Sequence, residues 1–77
     1  MKLYLGGHLN WYEPQRRKSI TIHLTQPTLL MDVLVRLKIP ISEVTIGVVN
    51  GQAFFSFENV AVQDADKLEV YPPVDGG

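Results

Sequence analysis

Two hydrophobic periods run along this chain. Leu3 and Leu5 alternate with Lys2 and Tyr4, and Ile20, Ile22 and Leu24 alternate with Thr21 and His23. Alternation of this kind predicts strands with one buried face. Gly6-Gly7 and the polar, aromatic stretch to Pro14 read as a loop, so the two strands form a hairpin with a wide connection. The period then changes. Leu30, Val33, Leu34 and Leu37 stand at i, i+3, i+4 and i+7, which is one stripe of a helix. Thr28 is the expected N-cap, because its hydroxyl can accept a bond from an orphan backbone N–H. Asp32 suits the positive end of the helix dipole, and Pro40 is the expected stop.

The second half returns to strands. Thr45 to Val49 predicts a strand that turns at Asn50-Gly51, a dipeptide suited to the positive φ angles of a type I′ turn. Gln52 to Phe55 is the expected returning strand, and Ser56 to Val62 gives no clear pattern. Asp64-Ala65-Asp66 reads as a turn. Lys67 to Tyr71 is a last alternating strand with Leu68 and Val70 inward, ended by Pro72-Pro73 because proline cannot donate to a ladder.

One helix must then cover one face of one sheet, since nothing else can bury the apolar stripe. The order predicts an α+β fold, of the β-grasp kind or another small α+β arrangement. Four to five strands form a mixed sheet on one main helix, with the first and last strands together in its middle. The expected core is Leu3, Leu5, Ile20, Ile22, Leu30, Val33, Leu34, Leu37, Ile46, Val48, Leu68 and Val70. The chain is expected to divide into a folded domain, 1–72, and a flexible di-glycine tail, 73–77.

Composition narrows the chemistry. With 77 residues, one domain is expected. The absence of cysteine removes thiol nucleophiles, cysteine–zinc sites and redox motifs from this chain. A formal net charge of −1 argues against nucleic acid as the partner, and Arg16-Arg17-Lys18 reads as a solvated loop. No apolar stretch approaches the roughly 20 residues that span a membrane, and residues 1–4 lack a signal-peptide layout, so a cytoplasmic protein is expected. His8 and His23 have no metal-ligand spacing. Asp64, Asp66 and Glu69 read as solvated carboxylates rather than an acid and base pair.

The segment after the last strand is chemically suggestive. Pro72 and Pro73 favour an extended exit from the sheet. Pro72 to Gly77 can reach roughly 18–21 Å when extended. Gly76 and Gly77 would pass through a channel too narrow for a Cβ. The reactive group such a tail offers is a carboxylate, ionised at neutral pH with a pKa of about 3.3–3.7. A carboxylate becomes a good acyl donor once it is joined to phosphate as an acyl-adenylate. A carrier is expected, with the chemistry performed in a partner's active site.

The stretches "VNG" at 49–51 and "VQDADKLEVYPPVDGG" at 62–77 resemble the end of the bacterial and archaeal MoaD/ThiS sulfur-carrier proteins. "TLLMDVLVRLKIP" also resembles their single helix. The resemblance implies a ubiquitin-like β-grasp domain that is not itself an enzyme and binds no cofactor. It implies that a ThiF/MoeB-type activating enzyme adenylates the carboxylate of Gly77 with ATP and magnesium. A sulfur donor then converts it to a thiocarboxylate, and a synthase subunit of cofactor biosynthesis, of molybdopterin, tungstopterin or thiamine type, accepts the sulfur. Pro73, Val74, Asp75 and Gly76 are the tail that enters the partner. Ala65 stands where the family has a turn glycine, Asp75 where a small neutral residue is common, and the Gly7–Pro14 loop does not match the family. These departures leave the acceptor open.

Tyr4 and Tyr71 oppose the inward leucines, with Val49 joining them in an apolar patch on the face away from the helix. This is the expected docking face. Two other classes compete: a covalent protein modifier joined through Gly77 to lysine amines, and a plain β-grasp interaction domain with an incidental tail.

Overall fold

The computed structural model describes residues 1–73. The strands are β1 (Lys2–Leu5), β2 (Ser19–Thr21), β3 (Thr28–Leu29), β4 (Ile46–Val49), β5 (Gln52–Phe54), β6 (Ala61–Val62) and β7 (Lys67–Tyr71). The helix α1 (Leu30–Arg36) follows β3 directly. Five strands form one mixed sheet in the order β2-β1-β7-β4-β5. As expected, the first and last strands lie side by side in its middle. They run parallel, with Leu3 opposite Leu68 and Leu5 opposite Val70. The architecture is a small α+β fold with one helix against one face of the sheet.

The core lies between helix and sheet. Leu3, Leu5, Leu68 and Val70 meet Leu30, Val33 and Leu34 there, each no more than 1% exposed. Burying each such side chain contributes about 1.5–3 kcal/mol. Ile20, Ile22 and Leu37 are half-buried and pack against this cluster rather than within it. Leu9 is fully buried although the pattern assigns it to a loop, because Leu9–Tyr12 folds into a 3-10 turn that returns the chain to the core.

Thr28 is not the N-cap. It lies in β3, which pairs with β6 in a second, two-stranded sheet, and its hydroxyl donates to the Gln26 carbonyl. Leu29 takes the cap position without a side-chain bond, and the Val60 carbonyl accepts the Leu30 N–H at 2.8 Å. One of the leading N–H groups of the helix is therefore taken by the Ser56 to Val62 segment, which gave no clear sequence pattern. The helix also ends before proline acts. The Lys38 N–H donates to the Val35 carbonyl and the Ile39 N–H to the Leu34 carbonyl, with Lys38 at φ 60°. This is the Schellman arrangement, and Pro40 lies beyond it.

The parity of β4 is the reverse of the expected one, which put Ile46 and Val48 in the core. Ile46 and Val48 are half-buried on the face away from the helix, while Gly47 and Val49 face inward opposite Val70 and Leu68. A Cβ on Gly47 would lie 3.1 Å from Phe57 Cε1 and 3.2 Å from Leu30 Cδ1. Phe57, 8% exposed, fills the space that a side chain at position 47 would need, and this sets the parity of the strand.

The Asn50-Gly51 turn forms as read, with φ of 49° and 87°. Asp66 anchors it. Asn50 Nδ2 donates to Asp66 Oδ1 at 2.9 Å, and the Lys67 amide donates to Asn50 Oδ1 at 2.9 Å. Asp64 accepts the Leu24 amide at 2.9 Å and the Met1 nitrogen at 3.2 Å, and these donors hold its carboxyl below the usual range. Asp64 and Asp66 thus fix turns; they are not idle surface charges. Ala65 is absent from the positive-φ positions, so it avoids the left-handed strain that a missing glycine would bring.

Candidate functional site: the open sheet face and the end of the last strand

The face of the sheet away from α1 carries the side chains out of phase with the core. On β1 these are Lys2 and Tyr4, on β7 Lys67, Glu69 and Tyr71, and on β4 Ile46 and Val48. Ile46 stands opposite Tyr71 and Val48 opposite both Glu69 and Ala53. Tyr4 and Tyr71 approach with ring centroids 6.0 Å apart and planes tilted by 49°. A shallow hollow beside them is bordered by Lys2, Thr21, Lys67 and Glu69. The expected patch is present at Tyr4 and Tyr71. Val49 is not in it: Val49 packs on the core, and Ile46 and Val48 take that role, because Gly47 rather than Val48 faces the helix.

Tyr71 is held in place from three sides. Its hydroxyl donates to Glu69 Oε1, and its carbonyl accepts the Thr45 amide at 2.9 Å. The bond to Glu69, the partial loss of water, and the charges of Glu69 and Tyr4 push its pKa upward, so the hydroxyl stays protonated as a donor. Its ring lies against Gly6. A Cβ there would sit 2.3 Å from Tyr71 Cδ1, closer than atoms approach. The Gly6 amide donates to the Val70 carbonyl at 2.8 Å, extending the β1–β7 pairing past Leu5.

Pro72 is set in the same way. Gly7 has φ +53°, and a Cβ there would sit 2.5 Å from Pro72 Cγ. Lys18 Nζ donates to the Gly7 carbonyl at 3.0 Å and braces this turn. The two glycines after β1 form a side-chain-free seat for Tyr71 and Pro72. Sequence reading treated them as loop punctuation. Their position next to the end of a parallel partner strand is a tertiary relation that no local pattern carries.

A polar cluster holds the 3-10 turn. His8 Nε2 lies 3.1 Å from Glu43 Oε2, and the Tyr12 hydroxyl donates to Glu43 Oε1 at 3.3 Å. Burial first, then the Glu43 charge, raises the Tyr12 pKa. Both Glu43 oxygens are thereby engaged, so the cluster ties this loop to the segment before β4. Trp11 edges onto His8 with centroids 6.0 Å apart and is otherwise largely exposed. The sequence pattern gives no sign of Glu43, and Trp11 and Tyr12 fall within the Gly7–Pro14 loop that does not match the family.

Among the described residues, no three His, Asp or Glu side chains stand close enough to hold a metal ion. No helix among them is long and apolar enough to cross a membrane. Pro73 is exposed past the end of β7, and Val74, Asp75, Gly76 and Gly77 lie outside the described residues. No protein-family model matches this chain, and no curated protein is similar enough to it to count as a relative.

Proposed function

We propose that this chain is a β-grasp sulfur carrier whose Gly77 carboxylate is the reacting group. The observation that carries the reading joins sequence and fold. The strand that runs into Pro-Pro-Val-Asp-Gly-Gly is β7, in the middle of the sheet, and it ends on the Gly6-Gly7 seat beside an open face bearing Tyr4, Tyr71, Ile46 and Val48. A partner gripping that face would receive the following residues in a set direction. The chain order, the parallel pairing of first and last strands and the single helix are compatible with the β-grasp family that the terminal residues resemble.

In this reading the Gly77 carboxylate attacks the α-phosphate of ATP in a ThiF/MoeB-like enzyme. Pyrophosphate leaves and an acyl-adenylate forms. A sulfur donor then displaces AMP, and a synthase subunit receives the sulfur. This chain binds, presents and is modified; it supplies no catalytic group of its own. Glycine at 76 and 77 admits the acyl group to a narrow site, and Pro72 and Pro73 keep the approach extended.

Mass analysis of the protein from its native host tests the proposal. The carrier reading expects free protein heavier by the exchange of one oxygen for one sulfur at Gly77. Unmodified free protein with ladders on larger proteins would instead favour the covalent-modifier class.

A further inference from the structure

The β2 edge of the sheet carries a second surface, toward the end of α1 and independent of the sulfur-carrier reading. β2 is an edge strand. Its pairing with β1 runs through Ile20 opposite Leu3, the mutual bonds of Ile22 with Met1, and the bond from the Leu5 amide to Lys18. The backbone groups of Ser19 and Thr21 therefore point the other way, and among the described residues no strand pairs with them. Beside this edge runs a groove between β2 and the end of α1. Ile20, Ile22, Leu37 and Ile39 form its floor.

The rim is basic. Arg36 and Lys38 line the groove, and neither is in an ion pair among the described residues. Lys38 is fixed there by the left-handed turn that closes the helix. Arg17 also lines the groove, and Glu13 neutralises it at 2.8 Å. Arg16 and Lys18 stand at the start of the edge and are exposed. Asp32, one helical turn before Arg36, makes no ion pair with it.

We infer that this edge and groove receive an extended acidic segment of another protein, which pairs with Ser19 and Thr21 as an added strand. The open ladder supplies main-chain bonds, and the floor accepts aliphatic side chains at alternate positions. Arg36 and Lys38 select carboxylates beside them. A second copy of this chain would offer residues 16–24 as its strand, and these hold no carboxylate for Arg36 and Lys38. Cationic edges of this kind suppress self-pairing while leaving an anionic strand free to dock.

The probe is a synthetic peptide with isoleucines at alternate positions and aspartates elsewhere; its control carries lysines for the aspartates. Titrated into the full chain and followed by amide NMR, the acidic peptide should shift and protect the Ser19 and Thr21 amides. The control should not bind. Arg36→Glu with Lys38→Glu should weaken binding about tenfold or more, equivalent to ~1.4 kcal/mol, and raised salt should weaken it in the parent. Both positions are exposed, and a thermal melt confirms that the double variant folds. Equal binding of the lysine peptide, binding that moves Tyr4 and Tyr71 but not Ser19 and Thr21, or no binding at millimolar peptide overturns the inference. Protection of Ser19 and Thr21 by self-association without peptide also overturns it.

Discussion

The Tyr71 ring occupies the space where Gly6 would carry a side chain: a Cβ built on Gly6 falls 2.3 Å from Tyr71 Cδ1. This contact joins the end of the first strand to the end of the last. It fixes the Tyr71 ring at the end of β7.

Gly6→Ala must therefore displace the Tyr71 ring. Overpacking of this kind costs about 1–3 kcal/mol, and a small domain shifts its Tm by roughly 4–8 °C per kcal/mol. In a Tyr71→Ala background the same change should cost much less, leaving a residual term because the Val70 carbonyl also lies 3.1 Å from that Cβ. A double-mutant cycle by chemical denaturation measures the coupling. Additive effects would mean that the two residues do not constrain each other.

The β4–β5 turn gives a second test. Asn50→Gly keeps the positive φ and removes both side-chain bonds, to Asp66 and to the Lys67 amide. A loss of about 1–3 kcal/mol is expected for the two bonds together. Asp66→Ala in the Asn50→Gly background should then cost less than in the parent, although the bond from the Gln63 amide to Asp66 Oδ2 remains to be lost.

The final helical turn gives a stabilising change. Lys38 holds φ 60°, a conformation that glycine adopts without a Cβ penalty. Lys38→Gly should raise stability by about 0.5–1 kcal/mol, read as a higher urea midpoint with unchanged slope. A lower midpoint would mean that the Lys38 side chain contributes more than its backbone strain removes.

Acid stability should depend on Glu13. Its carboxylate accepts the Gln15 and Arg17 amides and two nitrogens of the Arg17 guanidinium. The side-chain bonds to Arg17, then the amides, hold its pKa below the ordinary value of 4.5. A carboxyl with a lowered folded pKa adds stability that is fully present above its unfolded value and is lost as pH falls through the folded one. The Tm should fall as pH drops below about 4.5. Glu13→Gln should be less stable at pH 7 and show a shallower acid decline, with Asp64 supplying part of what remains.

Much of this architecture is legible along the chain because it is locally encoded. Leu68 and Val70 alternate up to Pro72, and the structure ends β7 at Tyr71. Asn50-Gly51 turns because its residues tolerate positive φ. What escapes is whatever a distant residue decides. Gly47 faces inward because Phe57 needs its space, which turns Ile46 and Val48 outward and Val49 in. Thr28 loses the cap because the Val60 carbonyl takes that role. Tyr4 and Tyr71 were readable as an outward pair. The Gly6-Gly7 seat was not, since it exists only once β1 and β7 lie in parallel.

The central claim is that the Gly77 carboxylate is activated, and ATP–pyrophosphate exchange with a ThiF/MoeB-type enzyme from the same organism tests it most directly. The native chain should support exchange. A chain extended by one residue after Gly77 should not, because the carboxylate moves by roughly 3.5 Å, and reaction geometry tolerates errors of about 1 Å poorly. Gly76→Val should also fail, by placing a branched side chain in a narrow channel, while both variants keep the parent's Tm and its binding to the enzyme. Exchange by the extended chain at the native rate, or no exchange by the native chain with any such enzyme from its host, would contradict the account.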